Sequence, residues 1–200
     1  MDSTYFKIEE NRWDGKVLTK YTGSDRVVTI PDGVCQIGAL AFENADLIDT
    51  VIIPDSVTVI EFAAFRNSSI SYIVIPQKVN RIGECAFEGC KSLKHIEIQN
   101  PDIKFSKSPF KDAASDFEII FGGTCERFKA EAENAYLGQG EYQSGDYHHP
   151  TATHFEYYKY DIYGHIFSET LDTPFTCRVK CTDGELEFHE MPRAERTVRK

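Results

Sequence analysis

The chain has 200 residues, 41% of them hydrophobic and 27% charged, with a formal net charge of −10. That is enough apolar material for a sizeable core in one or two domains. The acidic balance excludes nucleic acid or an anionic membrane as a general partner, because both need clustered Lys and Arg, and no run reaches the roughly 18 apolar residues of a membrane-spanning helix.

Residues 1–15 carry Asp2, Glu9, Glu10 and Asp14, with no basic start followed by an apolar run. The expected location is cytoplasmic if Met1 is the native start, and cell surface or secreted if the sequence is trimmed. Tyr5-Phe6-Lys7-Ile8 reads as a strand, Asp14-Gly15 as a hairpin turn, and Lys16 to Tyr21 as the returning strand. Such a hairpin suits the open end of a repeat array, which would otherwise expose its core and a strand edge.

From Val28 to Phe110 one pattern recurs four times. Thr29-Ile30-Pro31, Ile52-Ile53-Pro54 and Val74-Ile75-Pro76 open three units, and Glu97-Ile98-Gln99 opens a fourth without proline. Each unit ends in a small residue and a phenylalanine: Ala41-Phe42, Ala64-Phe65, Ala86-Phe87 and Pro109-Phe110. The prolines step by 23 and 22 residues, and the phenylalanines by 23, 22 and 23. A period in the low twenties predicts a β-rich repeat solenoid.

Within each unit, apolar residues precede the proline position by one and three: Ile30 and Val28, Ile53 and Val51, Ile75 and Ile73, Ile98 and Ile96. Ile48, Ile70 and Leu93 stand six before it, completing an L-x-x-L-x-L strand signature. Period-two spacing turns these residues inward. A second apolar pair follows (Val34 and Ile37, Val57 and Ile60, Val79 and Ile82), then Gly38, Glu61 or Gly83. At Glu61 the turn is expected to relax or to expose a carboxylate.

The uninterrupted string Ile75-Pro76-Gln77-Lys78-Val79-Asn80-Arg81-Ile82-Gly83-Glu84-Cys85-Ala86-Phe87-Glu88-Gly89-Cys90-Lys91-Ser92-Leu93 resembles the BspA-like bacterial leucine-rich repeats. The resemblance covers roughly residues 14–137. It implies a leucine-rich-repeat array with a parallel strand ladder, an N-terminal β-hairpin cap and a C-terminal capping helix. Family members are mostly described as adhesion, host-binding or uncharacterised proteins, and many are exported with a leader, a pattern that residues 1–15 do not show.

The fourth unit is degenerate, with Ile103 and Phe105 for the apolar pair, as expected for a terminal repeat. Phe117 to Phe121 adds a strand. Thr124 is placed to N-cap a helix from Cys125 to Tyr136, with Phe128, Ala132 and Ala135 on one face. Beyond it, a polar stretch leads to an aromatic-rich strand at 155–163 and a hairpin, with Phe175, Cys177, Val179 and Cys181 on one side, turning at Thr182-Asp183-Gly184. The expected organisation is cap 1–25, repeats 26–121, capping helix 122–137, linker or long loop 138–153, β-rich appendage 154–192 and tail 193–200.

No Walker loop, dinucleotide glycine fingerprint, His-Glu-x-x-His helix or Gly-x-Ser-x-Gly elbow is present. His148, His149, His154, His165 and His189 with Cys177 and Cys181 form the one candidate metal set. Four residues apart on a strand, however, the two thiols are about 14 Å apart and cannot share an ion. Cys125 at a helix start is a candidate nucleophile, with no histidine placed beside it in sequence. Neither constellation defines catalysis or a cofactor. Free core thiols are expected for Cys35, Cys85 and Cys90.

The outward ladder face remains. Register places Thr29, Ile52, Val74 and Glu97 in one row, Val27, Thr50, Tyr72 and His95 in the next, with Arg26, Asp49, Ser71 and Lys94 flanking. Ile52, Val74, Tyr72 and Thr50, rimmed by Asp49, Lys94, His95 and Glu97, have the anatomy of a protein-binding patch. Two other readings stay open: the appendage covers the face, or parallel strands simply favour β-branched residues. The expected function is a non-enzymatic protein-interaction module acting through this patch or the appendage. The alternative is a repeat scaffold carrying a small metal-binding or hydrolytic unit in 141–200.

Overall fold

The inward positions of each unit fall on two short strands, and stacking them gives two parallel sheets around one core. The computed structural model describes residues 5–12, 15–114, 117–135, 159–160, 166–167 and 175–190. In chain order, β1 (Phe6–Asn11) and β2 (Gly15–Tyr21) form an antiparallel hairpin. The coils then alternate between two sheets through β3 (Val27–Thr29), β4 (Val34–Ile37), β5 (Thr50–Ile52), β6 (Val59–Ile60), β7 (Tyr72–Ile75), β8 (Arg81–Ile82), β9 (His95–Ile98) and β10 (Lys104–Phe105). β11 (Phe117–Phe121), helix α1 (Cys125–Ala135), the short pair β12 (Lys159–Tyr160) and β13 (Ile166–Phe167), and the hairpin β14 (Phe175–Cys181) and β15 (Gly184–Glu190) complete it.

One sheet runs β1-β2-β4-β6-β8-β10 and the other β15-β14-β11-β9-β7-β5-β3. The N-terminal hairpin closes the array as expected, since β2 pairs in parallel with β4. At the other end the chain does something its sequence did not announce. After the helix, β14 returns to the ladder and lies parallel to β11, with Ile119 opposite Val179, and β15 closes the edge antiparallel. The hairpin expected inside an appendage thus continues the ladder sheet itself. The aromatic-rich segment contributes only the described pairs Lys159–Tyr160 and Ile166–Phe167. The linker, the tail and His148, His149, His154 and His165 lie outside the described residues, as does the side chain of His189.

The core carries the repeat. Val28, Ile30, Val51, Ile53, Ile73, Ile75, Ile96 and Ile98 are buried, as are Ile48, Ile70 and Leu93 and the second apolar pairs. Phe42, Phe65, Phe87 and Phe110 are fully buried and stack at 5.0, 5.2 and 5.6 Å between ring centroids. Tyr21 and Phe6 extend the stack at one end and Phe117 at the other.

A backbone bond fixes this stacking. The N–H of Tyr21 donates to Ala41 O, Phe42 to Ala64 O, Phe65 to Ala86 O and Phe87 to Pro109 O, at 2.7–2.8 Å. Each aromatic is therefore held by the carbonyl of the small residue one coil on. That role uses only a carbonyl, so Pro109 fills it despite lacking an N–H.

The turn flanking each phenylalanine needs two left-handed residues. Leu40, Ala63, Cys85 and Ser108 precede the small residue with φ of 50–59°, and Asn44, Asn67, Gly89 and Asp112 follow the phenylalanine by two with φ of 52–68°. Asn, Asp and Gly are the residues that tolerate that conformation. Gly83 is required for closeness instead: a Cβ there would come within 2.5 Å of the Glu61 carbonyl carbon. Glu61 keeps its own turn, and its half-exposed carboxylate bonds Arg81 of the next coil at 2.7 Å. Gln99, where the proline is missing, donates its N–H to Ile75 O at 3.0 Å.

Helix α1 plugs the open end. Phe128, Ala132 and Ala135 are buried, and Phe128 meets Phe105 and Phe121 edge-on at 6.1 and 5.4 Å. The helix is too short and too polar to cross a membrane, and none of the described helices could. Cys85 and Cys90 are buried thiols, but Cys35 is only half-buried, because its side chain points to the Gly33 carbonyl at the surface turn.

Replacing Phe65 by Ala, which opens the centre of the stack, is expected to cost about 3–5 kcal/mol. Urea unfolding midpoints with an unchanged slope would measure it.

Candidate functional site: the ladder face

The outward residues of the ladder form two rows whose register is set by strand pairing. One runs Val27, Thr50, Tyr72, His95, Glu118, Arg178 and Glu187. The other contains Thr29, Ile52, Val74, Glu97, Ile120, Lys180 and Glu185. The strand signature dictates the alternation, since the residues between them are the buried Val28, Val51, Ile73, Ile96, Ile119 and Val179.

The face has two chemical halves. Toward the N-terminal end it is neutral and apolar: Val27 is 57% exposed, Ile52 50% and Tyr72 39%, with Thr50 and Val74 half-buried among them. Toward the C-terminal end it is charged. Asp49, which flanks the apolar half and is half-buried, accepts from the Ser71 hydroxyl; in the charged half Lys94 is exposed and Glu97 accepts from Gln99 Nε2 at 3.0 Å. His95 Nδ1 lies 3.4 Å from Glu118, and Lys180 Nζ lies 2.8 Å from the same carboxylate. All eight residues expected at the patch therefore lie on or beside this face. Glu118, Ile120, Arg178, Lys180, Glu185 and Glu187 extend it. The strand pattern of Phe175 to Cys181 was readable, but the partner of that strand lies across the chain at Phe117–Phe121, with no local sequence cue.

Glu118 joins three strands. Its side chain is 12% exposed. The hydrogen bond from Lys180 holds its carboxyl below the ordinary value against the cost of cover, with the charges of Lys180, His95 and Arg178 adding to the effect. The open concavity beside it, about 480 Å³, is lined mainly by Glu118, Arg178, Lys180, Glu185 and Glu187. This is a charged surface, in contrast to the apolar lining of small-molecule pockets.

A second cluster lies where the hairpin turn meets the helix. Asp183 Oδ1 accepts the Cys125 N–H at 2.8 Å, and Thr182 N–H donates to Gly123 O at 3.0 Å. Thr124 also caps, accepting from Arg127 N–H at 3.3 Å. The helix start thus has two caps, one expected from the neighbouring sequence and one supplied from 58 residues on. Cys181 at the end of β14 has its sulfur within 4.8 Å of the Cys125 sulfur, so its near thiol is Cys125 and not Cys177.

Parallel strands stacked at a 22–23-residue period, with an L-x-x-L-x-L face and end caps, define a leucine-rich-repeat solenoid. Residues 20–134 match the family described as "BspA type Leucine rich repeat region (6 copies)", and the chain belongs to that family. A leucine-rich repeat protein from Bacteroides ovatus ATCC 8483 is similar in structure, with 30% sequence identity and a TM-score of 0.51 over 58% of this chain and 33% of that one. A leucine rich cell surface protein from Faecalibacterium prausnitzii A2-165 is 24% identical, with a TM-score of 0.47 over 70% and 42% of the two chains. The leucine-rich repeat protein of T. pallidum is 21% identical, with a TM-score of 0.44 over 60% and 70%. This chain therefore spans about a third of the length of the Bacteroides protein. No curated protein matches the chain in sequence.

Two outcomes test the site's electrostatics and burial. A carboxylate with a lowered folded pKa stabilises above the unfolded value of about 4.3 and loses that contribution as pH falls through its folded value. Docking of residues 175–190, followed by hydrogen exchange, should weaken in that acid range in the native protein, and Glu118→Gln should remove the dependence. Burial pushes the Cys85 thiol up to about 12 and Cys90 to about 11. Both should resist thiol reagents in the folded protein and react at once in denaturant, by mass-spectrometric counting of labels.

Proposed function

We propose that the chain is a non-enzymatic interaction module that binds a protein partner through the outward face of its ladder. Leucine-rich repeat domains generally mediate protein interactions. The observation that carries the reading for this chain is the division of one continuous sheet face. Val27, Ile52 and Tyr72 expose apolar surface on a rigid ladder, beside a rim of His95, Glu97, Glu118, Arg178 and Lys180. An apolar centre bordered by charge is the make-up of protein-recognition surfaces, in which a tyrosine commonly anchors the contact. The described strands of the terminal hairpin lie at the edge of the ladder, where they lengthen the face.

The test combines Tyr72→Ala with Ile52→Glu and compares partner enrichment by crosslinking and mass spectrometry against the unmodified chain. Binding is expected to fall at least about tenfold, at least 1.4 kcal/mol, with the melting temperature unchanged to within a few degrees because both side chains are exposed. Leu47→Glu serves as control, since Leu47 is 56% exposed but lies in a turn off the ladder strands. Equal enrichment by the double variant and the native chain removes the ladder face as the site.

A further inference from the structure

We propose that Cys125, Cys181 and Asp183 form a binding site for a thiophilic divalent cation of the Zn²⁺ class, at the junction of the capping helix and the terminal hairpin. The two sulfurs and one carboxylate oxygen all lie within 4.8 Å of one another. Tetrahedral zinc holds sulfur at about 2.3 Å, so its ligand atoms stand about 3.8 Å apart. Closing the cluster onto an ion therefore takes side-chain movements of about 1 Å.

The three donors come from three different places: the first residue of α1, the last residue of β14, and the turn between β14 and β15. Each is fixed by the fold. Val179 of β14 is buried in the core, the helix is buried through Phe128 and Ala132, and Thr182 is tied to Gly123 by a backbone bond at 3.0 Å. Asp183 is oriented by the Cys125 N–H, in the manner of an outer-sphere hydrogen bond that aims a metal ligand. One carboxylate oxygen takes that bond, which leaves the other lone pairs for an ion. A water molecule would complete four-coordination.

Two thiolates beside a carboxylate are tolerable only with a compensating positive charge, which a divalent ion supplies while displacing the thiol protons. A disulfide would engage the two sulfurs alone, with the carboxylate kept only as a cap on the Cys125 N–H. The bound ion would fasten the last rungs of the ladder to the helix that plugs the core.

Reduced, metal-free full-length chain titrated with Co²⁺ is expected to show cysteinate-to-cobalt charge-transfer absorption saturating at one equivalent and abolished by Zn²⁺. Native mass spectrometry should then find one zinc per chain. Cys125→Ser and Cys181→Ser should each weaken binding by more than the roughly 10–100-fold that loss of an outer partner costs. Asp183→Asn retains an acceptor for the Cys125 N–H but lacks the charge, and should weaken binding at least about tenfold. Circular dichroism of each variant confirms that the coil stack persists. Three results overturn the site: no cobalt–thiolate band with metal in excess, an ion retained by the doubly substituted Cys125→Ser/Cys181→Ser chain, or a Cys125–Cys181 disulfide that forms in preference to the metal complex.

Discussion

The bond from each aromatic N–H to the carbonyl of the small residue one coil on is the constraint the rest of the molecule depends on. It fixes the distance and rotation between neighbouring coils at the point of greatest burial, so rings stack at 5.0–5.6 Å over the whole array. Once that register is set, Val28, Val51, Ile73 and Ile96 face inward together. The residues beside them must face outward together, because side chains alternate along a strand. Core and recognition face are two consequences of one repeated backbone contact.

The ends show how much the array needs closure. At the start, a hairpin adds its second strand to the smaller sheet. At the finish, the helix covers the last aromatic layer and the chain then returns to add two further rungs to the ladder. The turn of those rungs caps the helix that preceded them. Helix and hairpin therefore stabilise one another, although neither lies next to the other in sequence.

Most of the repeat was legible in the sequence, because a period sums the same weak signal over several copies. The strand positions, the inward set and the Ala-Phe landmark needed no structure. So too were the capping helix and its buried face of Phe128, Ala132 and Ala135. The left-handed turns left a trace in Asn44, Asn67, Gly89 and Asp112, but their partners Leu40, Ala63, Cys85 and Ser108 share no side-chain property that marks φ > 0. Lys94, His95 and Glu97 were legible as a charged rim, but the part of it that Glu118, Arg178 and Lys180 add was hidden for another reason. Glu118 and Lys180 meet through a parallel crossover whose two strands are some sixty residues apart, and hydrophobic periodicity reports the burial of a strand without naming its neighbour. Cys125 and Cys181 are brought together by the same crossover.

One column beside the aromatic stack bears on how such an array can grow. The residue after each phenylalanine reads Glu43, Arg66, Glu88 and Lys111, alternating in sign, with Glu43 paired to Arg66 and Glu88 to Lys111. Lys111 and Glu88 are mostly covered, so their attraction is little weakened by solvent. Loss of a single coil from the middle would set Glu43 against Glu88, or Arg66 against Lys111, with like charges side by side. Loss or duplication of two coils at once would restore the alternation. Although its repeat is one coil in length, the array has a parity, and its natural unit of expansion is the pair.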